Sequence, residues 1–203
     1  MSDAPRIALY VFDTGPLITL AAAESLDYLL YPSVTVVIPD AVFYEATRES
    51  GKLGAQSIID WVKLNHDKVE LAVTRSFIAF QAAHDNDPTF RMTNLGEQAA
   101  VEVIEEPARL QGNELAVLLC EETTVLKRIR VNQPDKIVEI TTMDFLIALE
   151  KYHRIQSADA VFDLAIAAGR NPSRVEKFSQ HAPEIRDAVR ETLELFKKRG
   201  IDR

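Results

Sequence analysis

Two segments of this chain are apolar without interruption, and each is closed by an acid. Residues 7–12 end at Asp13, and residues 115–120 end at Glu121. A strand that is apolar on both sides belongs inside a sheet with helices on both faces, the environment of parallel strands. The remainder of the pattern agrees. β-branched or apolar runs at 34–38, 69–73 and 137–140 read as further strands. Between them lie helical segments at 16–23, 25–30, 41–48, 55–64, 74–83, 94–110 and 121–129. Helices at 142–151, 157–168 and 183–199 follow the last strand. Asp40 reads as the N-cap of the third helical segment. Strands alternating with helices build βαβ units. The expected fold is a three-layer αβα sandwich with a mainly parallel central sheet, plus a C-terminal helical extension. Strands stop and the charge balance changes near 152–156, so the expected division is a domain at 1–153 and an extension at 154–203. In the last helix Ile185, Val189, Leu193 and Phe196 form an apolar stripe that needs a docking surface.

Such a fold gives particular acids a meaning. Strand C-termini and helix N-termini share one edge of a parallel sheet, and ligands bind there. Asp13 and Glu121 end strands. Glu45 and Glu97 lie in the first turns of helices. Four carboxylates gathered on that edge repel one another unless a cation neutralises them. Oxygen ligands without His or Cys favour Mg²⁺ or Mn²⁺, which directs attention to metal-dependent phosphodiester chemistry. Each acid also has an ordinary structural explanation. Asp13 suits the N-cap of the next helix. Glu45 and the pair Glu121-Glu122 complement helix dipoles. Asn94 and Glu97 have capping-box spacing. Thr142 and Asp144, just after the last strand, read as a cap and a first-turn acid that also reach the same edge. Glu102, Glu105 and Glu106 read as a solvated helix face.

Composition narrows the classes. The net charge is −8, against nucleic-acid binding by bulk electrostatics. From Arg154 onward there are ten Lys+Arg against eight Asp+Glu, so the acidity lies in the part that holds the carboxylates. Cys120 is the single cysteine, which excludes an intrachain disulfide and suits a reducing cytoplasm. The four histidines show no zinc spacing. No apolar run approaches the ~20 residues of a membrane span, and the N-terminal residues do not read as a signal peptide.

The order of the motifs resembles a known family. Phe12-Asp13-Thr14-Gly15-Pro16-Leu17-Ile18 is followed by Val37-Ile38-Pro39-Asp40-Ala41-Val42-Phe43-Tyr44-Glu45. Leu95-Gly96-Glu97 comes next, then Leu118-Leu119-Cys120-Glu121-Glu122 with Lys127-Arg128 beyond it. This series resembles a PIN domain, in particular the branch with a Leu-Gly-Glu helix start. Thr142-Met143-Asp144-Phe145-Leu146 falls where that branch carries a Thr-Gly segment. The resemblance spans about 7–153. It implies a Mg²⁺- or Mn²⁺-dependent ribonuclease acting on single-stranded RNA, often the toxin of a toxin–antitoxin pair. By position it implies Asp13, Glu45, Glu97 and Glu121 as the catalytic acids, with Asp13, Glu97 and Glu121 on the metal. Thr14, Glu122, Thr142 and Asp144 become secondary candidates, and Lys127 and Arg128 candidate RNA contacts. The resemblance implies an antitoxin protein as a partner. The stripe at Ile185, Val189, Leu193 and Phe196 docks either on the chain's own core or on a partner, a second copy in a homodimer or the antitoxin. The chain departs from the family in having Glu121-Glu122 where Asp-Asp is usual, and in a longer 74–94 stretch.

Two other readings compete. A catalytically silent PIN-like scaffold that binds RNA or protein fits the Glu121-Glu122 departure and the acidity. A phosphohydrolase with Asp13 as nucleophile wants a second Asp two positions on, where this chain has Gly15.

Overall fold

The computed structural model describes residues 7–106, 115–120 and 137–172. Five strands form one sheet: β1 (Ile7–Val11), β2 (Thr35–Pro39), β3 (Val69–Ala72), β4 (Leu115–Leu119) and β5 (Ile137–Ile140). Their order is β3-β2-β1-β4-β5, and every pairing is parallel. The first strand is therefore the central one. It pairs Leu9 with Val36 on one side and Leu9 with Val117 on the other.

Seven α-helices are described: α1 (Thr14–Ala22), α2 (Asp40–Thr47), α3 (Ala55–Leu64), α4 (Arg75–Asn86), α5 (Leu95–Glu105), α6 (Thr142–Lys151) and α7 (Ala158–Ala167). Alternate residues of β1 serve different layers, as the two-residue period of a strand requires. Leu9 and Val11 join a core with Leu17 and Leu20 of α1, Ile58 of α3, Leu146 of α6 and Phe162 of α7. Tyr10 and Phe12 face the other way, onto Ala100, Val103 and Ile104 of α5. The expected αβα layering with a parallel sheet is what the chain adopts. Residues 158–167, read from sequence as part of the extension, bury Ala158, Val161, Phe162 and Ala165 in the larger core.

Residues 25–30 read as helical, and Leu26–Leu30 forms a 3₁₀ helix. Ser25 makes no side-chain capping bond there. Its hydroxyl donates to the Ala23 carbonyl at 2.8 Å instead, a local bond that competes with helix initiation. Glu102 is not simply solvated. Its carboxylate accepts from the backbone N–H groups of Arg75 (2.7 Å) and Ser76 (3.0 Å), capping α4 from a different helix.

The helix read at 121–129 and the amphipathic helix at 183–199 lie outside the described residues. Among the described residues no helix is long and apolar enough to cross a membrane.

A carboxylate site at the sheet switch point

The chain winds from β1 outward to β3, then crosses back to place β4 on the other side of β1. The crevice outside the C-terminal ends of β1 and β4 is therefore the topological switch point, where open α/β sheets bind ligands. Asp13 stands there, two residues past the end of β1. Its backbone is extended, and its side chain caps α1 by accepting from the Gly15 N–H at 3.1 Å. The capping reading of Asp13 is thus realised at the same position as the functional one. Thr14 begins α1 beside it, half-buried.

Glu45 reaches this edge because α2 starts directly where β2 ends, at Pro39. Glu45 is half-buried. Burial holds its carboxyl above the usual carboxylate range. The Gly96 backbone N–H and the Arg48 guanidinium pull it back, and the charge of Asp13 pushes it further up. Asp13 and Glu45 are therefore close enough to sense each other. Arg48 also belongs to the site, three residues beyond Glu45 on the same helix. Helical spacing carried that signal, but the sequence reading passed over it. Its guanidinium lies 5.9 Å from the centre of the Tyr44 ring and 3.7 Å from Glu49 Oε1.

The start of α5 comes to the same place. A Cβ built on Gly96 would sit 3.1 Å from Glu45 Oε2 and 3.6 Å from Glu45 Cδ, so the two helices approach closely at this point. Glu97 follows, half-buried in the first turn. The expected capping box does not form. Asn94 adopts a left-handed conformation, φ 58°, and makes no side-chain cap bond, whereas a box needs an extended N-cap. Glu97 takes no hydrogen-bond or ion-pair partner among the described residues.

Helix α4 buttresses this corner. Phe77 and Phe80 pack with Tyr44 of α2, at ring separations of 5.3 and 5.6 Å. They share a buried cluster with Ala41, Leu95 and Ala99. Asp40 ties α4 to α2. Its Oδ1 accepts from the Ala41 N–H (2.8 Å) and the Thr74 hydroxyl (2.7 Å), and its Oδ2 from the Thr74 N–H (2.9 Å). The N-cap of α2 is Pro39, so Asp40 bridges helices where the sequence suggested a local cap.

Thr142 and Asp144 sit at the end of β5, two strands from β1. The cap of α6 is Thr141, not Thr142. Thr141 keeps an extended backbone and stands three residues before Asp144, the spacing a capping box requires. Asp144 Oδ2 accepts from the Thr141 N–H (3.0 Å) and hydroxyl (2.9 Å). Glu121, Glu122, Lys127 and Arg128 lie outside the described residues.

The donor chemistry of Asp13 and Glu45, two half-buried carboxylates in mutual repulsion, suits a hard divalent cation. Among the described residues, however, no group of three or more His, Cys, Asp or Glu side chains could hold a metal ion. Asp13, Glu45 and Glu97 do not complete such a site among themselves.

A doubly wound parallel sheet with carboxylates at its switch point defines a class of α/β protein that gathers acids around a ligand edge. The PIN domain family model DUF3368 matches residues 9–110, about half of the chain, and the protein belongs to that family. The match includes Asp13, Glu45 and Glu97. PIN domains are generally nucleases and typically use divalent metals. No match was found among curated proteins or among solved structures.

Proposed function

We propose that this protein is a Mg²⁺- or Mn²⁺-dependent endoribonuclease acting on single-stranded RNA. The observation that carries the reading is the meeting of Asp13 and Glu45 at the switch point, where the charge of Asp13 acts on the Glu45 carboxyl. Family membership supports the reaction class. Asp13 and Glu97, with Glu121, would hold the cation. A bound divalent ion supplies an acidified water and neutralises charge building on the phosphate. Glu45 orients the attacking water, and Arg48 balances the local negative charge. Lys127 and Arg128 meet the RNA backbone. The family resemblance further supports a toxin with an antitoxin partner, the single cysteine supports a cytoplasmic location, and the apolar stripe of residues 185–196 supports a homodimer.

The test is cleavage of a labelled single-stranded RNA with and without Mn²⁺. Wild-type protein should cut, and chelator should stop it. Asp13→Asn and Glu97→Gln should each abolish cutting while the far-UV circular dichroism stays unchanged. Cleavage that survives both substitutions refutes the site. Expression of the wild type should arrest growth, and Asp13→Asn should relieve the arrest.

A silent scaffold is the second reading. It is favoured by Glu121-Glu122 standing where the family usually has Asp-Asp, and by the net charge of −8. RNA binding without cleavage at any metal concentration would establish it over the first.

A further inference from the structure

The missing side chain of Gly96 is part of the site. We propose that Gly96 is a positioning residue, keeping open the space that the Glu45 carboxylate occupies and so setting where that carboxylate stands relative to Asp13. The inference rests on the nuclease reading for its catalytic consequence, but not for its structural one.

Three observations support it. The first is distance. A Cβ at position 96 would lie 3.1 Å from Glu45 Oε2, too close for ordinary contact. The second is what that Cβ would not disturb. Its other near neighbours are Glu45 Cδ and Val42 Cγ2, both at 3.6 Å, ordinary van der Waals separations. The third is backbone conformation. Gly96 lies within the first turn of α5, and its φ is not in the left-handed region that demands glycine. Helix propensity alone would favour alanine there. The glycine is therefore not explained by the fold of its own helix. It is explained by the carboxylate of the neighbouring one.

The obstruction is the far end of a flexible side chain, so the contact can be relieved by moving Glu45. Gly96→Ala should then displace the Glu45 carboxylate by a few tenths of an ångström and leave the fold intact. Leu95 and Ala99, which anchor the first turns of α5, remain buried on their own cluster. A misplacement of about 1 Å can cost about 10²-fold, so a shift of a few tenths of an ångström is expected to lower kcat by roughly 2–4-fold, with KM for RNA unchanged.

The experiment has two arms. The first needs no activity and measures urea midpoints of Gly96→Ala in the wild-type and Glu45→Ala backgrounds. Alanine should raise the midpoint clearly once the carboxylate is gone, and should raise it less, or lower it, when Glu45 is present. Equal shifts in both backgrounds overturn the proposal. The second arm measures kinetics of Gly96→Ala with Glu45 intact and with Glu45→Ala, using the residual activity of the latter. A fall in kcat that disappears in the Glu45→Ala background is the expected result. An unchanged kcat, or an equal loss in both backgrounds, overturns the positioning role. Wild-type protein that cuts no RNA defeats the nuclease reading and the catalytic half of the proposal, while the urea arm still decides the steric half.

Discussion

Replacing Asp40 with alanine should weaken the corner that supports the carboxylate site. The carboxylate receives three hydrogen bonds, two of them from Thr74 at 2.7 and 2.9 Å. The third, from Ala41 at 2.8 Å, joins neighbouring residues and does not tie one helix to another. Thr74 is only 3% exposed, so its N–H and hydroxyl cannot turn to solvent without opening the structure. Hydrogen bonds to charged groups contribute about 1.5–3 kcal/mol each, and a stranded buried donor costs about 1–3 kcal/mol. Asp40 itself is half-buried, which places the total at the lower end, about 3 kcal/mol. Equilibrium urea unfolding followed by far-UV circular dichroism should show the midpoint fall by about 1–2 M. Asp40→Asn should cost about half as much, because one oxygen still accepts while its NH₂ faces a donor. Thr74→Val should still cost about 1 kcal/mol in the Asp40→Ala background, since the Thr74 hydroxyl also caps α4 by accepting from the Phe77 N–H. A loss below about 1 kcal/mol for Asp40→Ala would refute this reasoning, because hydrogen-bond magnitudes of this order could not then apply.

Two further outcomes are expected. In metal-free protein Glu45→Gln should be more stable than wild type at neutral pH. The folded Glu45 carboxyl titrates above its ordinary value of 4.5, so wild-type stability falls as pH rises through that range. The gap should close below pH 4.5, and a gap that persists there, measured by thermal melts across pH, would exclude the assignment to Glu45. Phe162→Ala should lower the unfolding free energy by about 3–5 kcal/mol, because Phe162 is fully buried between α7 and the main core. A urea midpoint close to wild type would show that α7 is not integral to the fold.

The layers of this protein were legible because strand and helix periods differ so plainly. Residues 7–12 and 115–120 are apolar on both faces, and β1 and β4 indeed lie in the middle of the sheet. The switch-point position of Asp13 followed from its place at a strand end. What stayed hidden depended on partners distant in sequence. Asp40 looked like a local cap because its true partner, Thr74, lies on another segment. Glu102 looked solvated because helical periodicity cannot show the N-terminus of α4 lying against it. Asn94 and Glu97 had the spacing of a capping box, but the backbone at Asn94 is left-handed. Thr141 and Thr142 are neighbours, and only backbone geometry separates the cap from the first helical residue. Gly96 stood in the Leu-Gly-Glu motif, but the group approaching it, the Glu45 carboxylate, comes from another helix.

The central position of β1 has a consequence during synthesis. Ile7 is made 108 residues before its partner Leu115. At about 5–20 residues per second, roughly 5–20 s separate the two. Until β4 arrives, one side of β1 carries unpaired N–H and C=O groups, open to wrong pairing. For the same interval the switch-point crevice at Asp13 does not exist, because one of its two walls has not been made. An unfinished chain therefore has its first acid in place but no crevice around it until β4 is made.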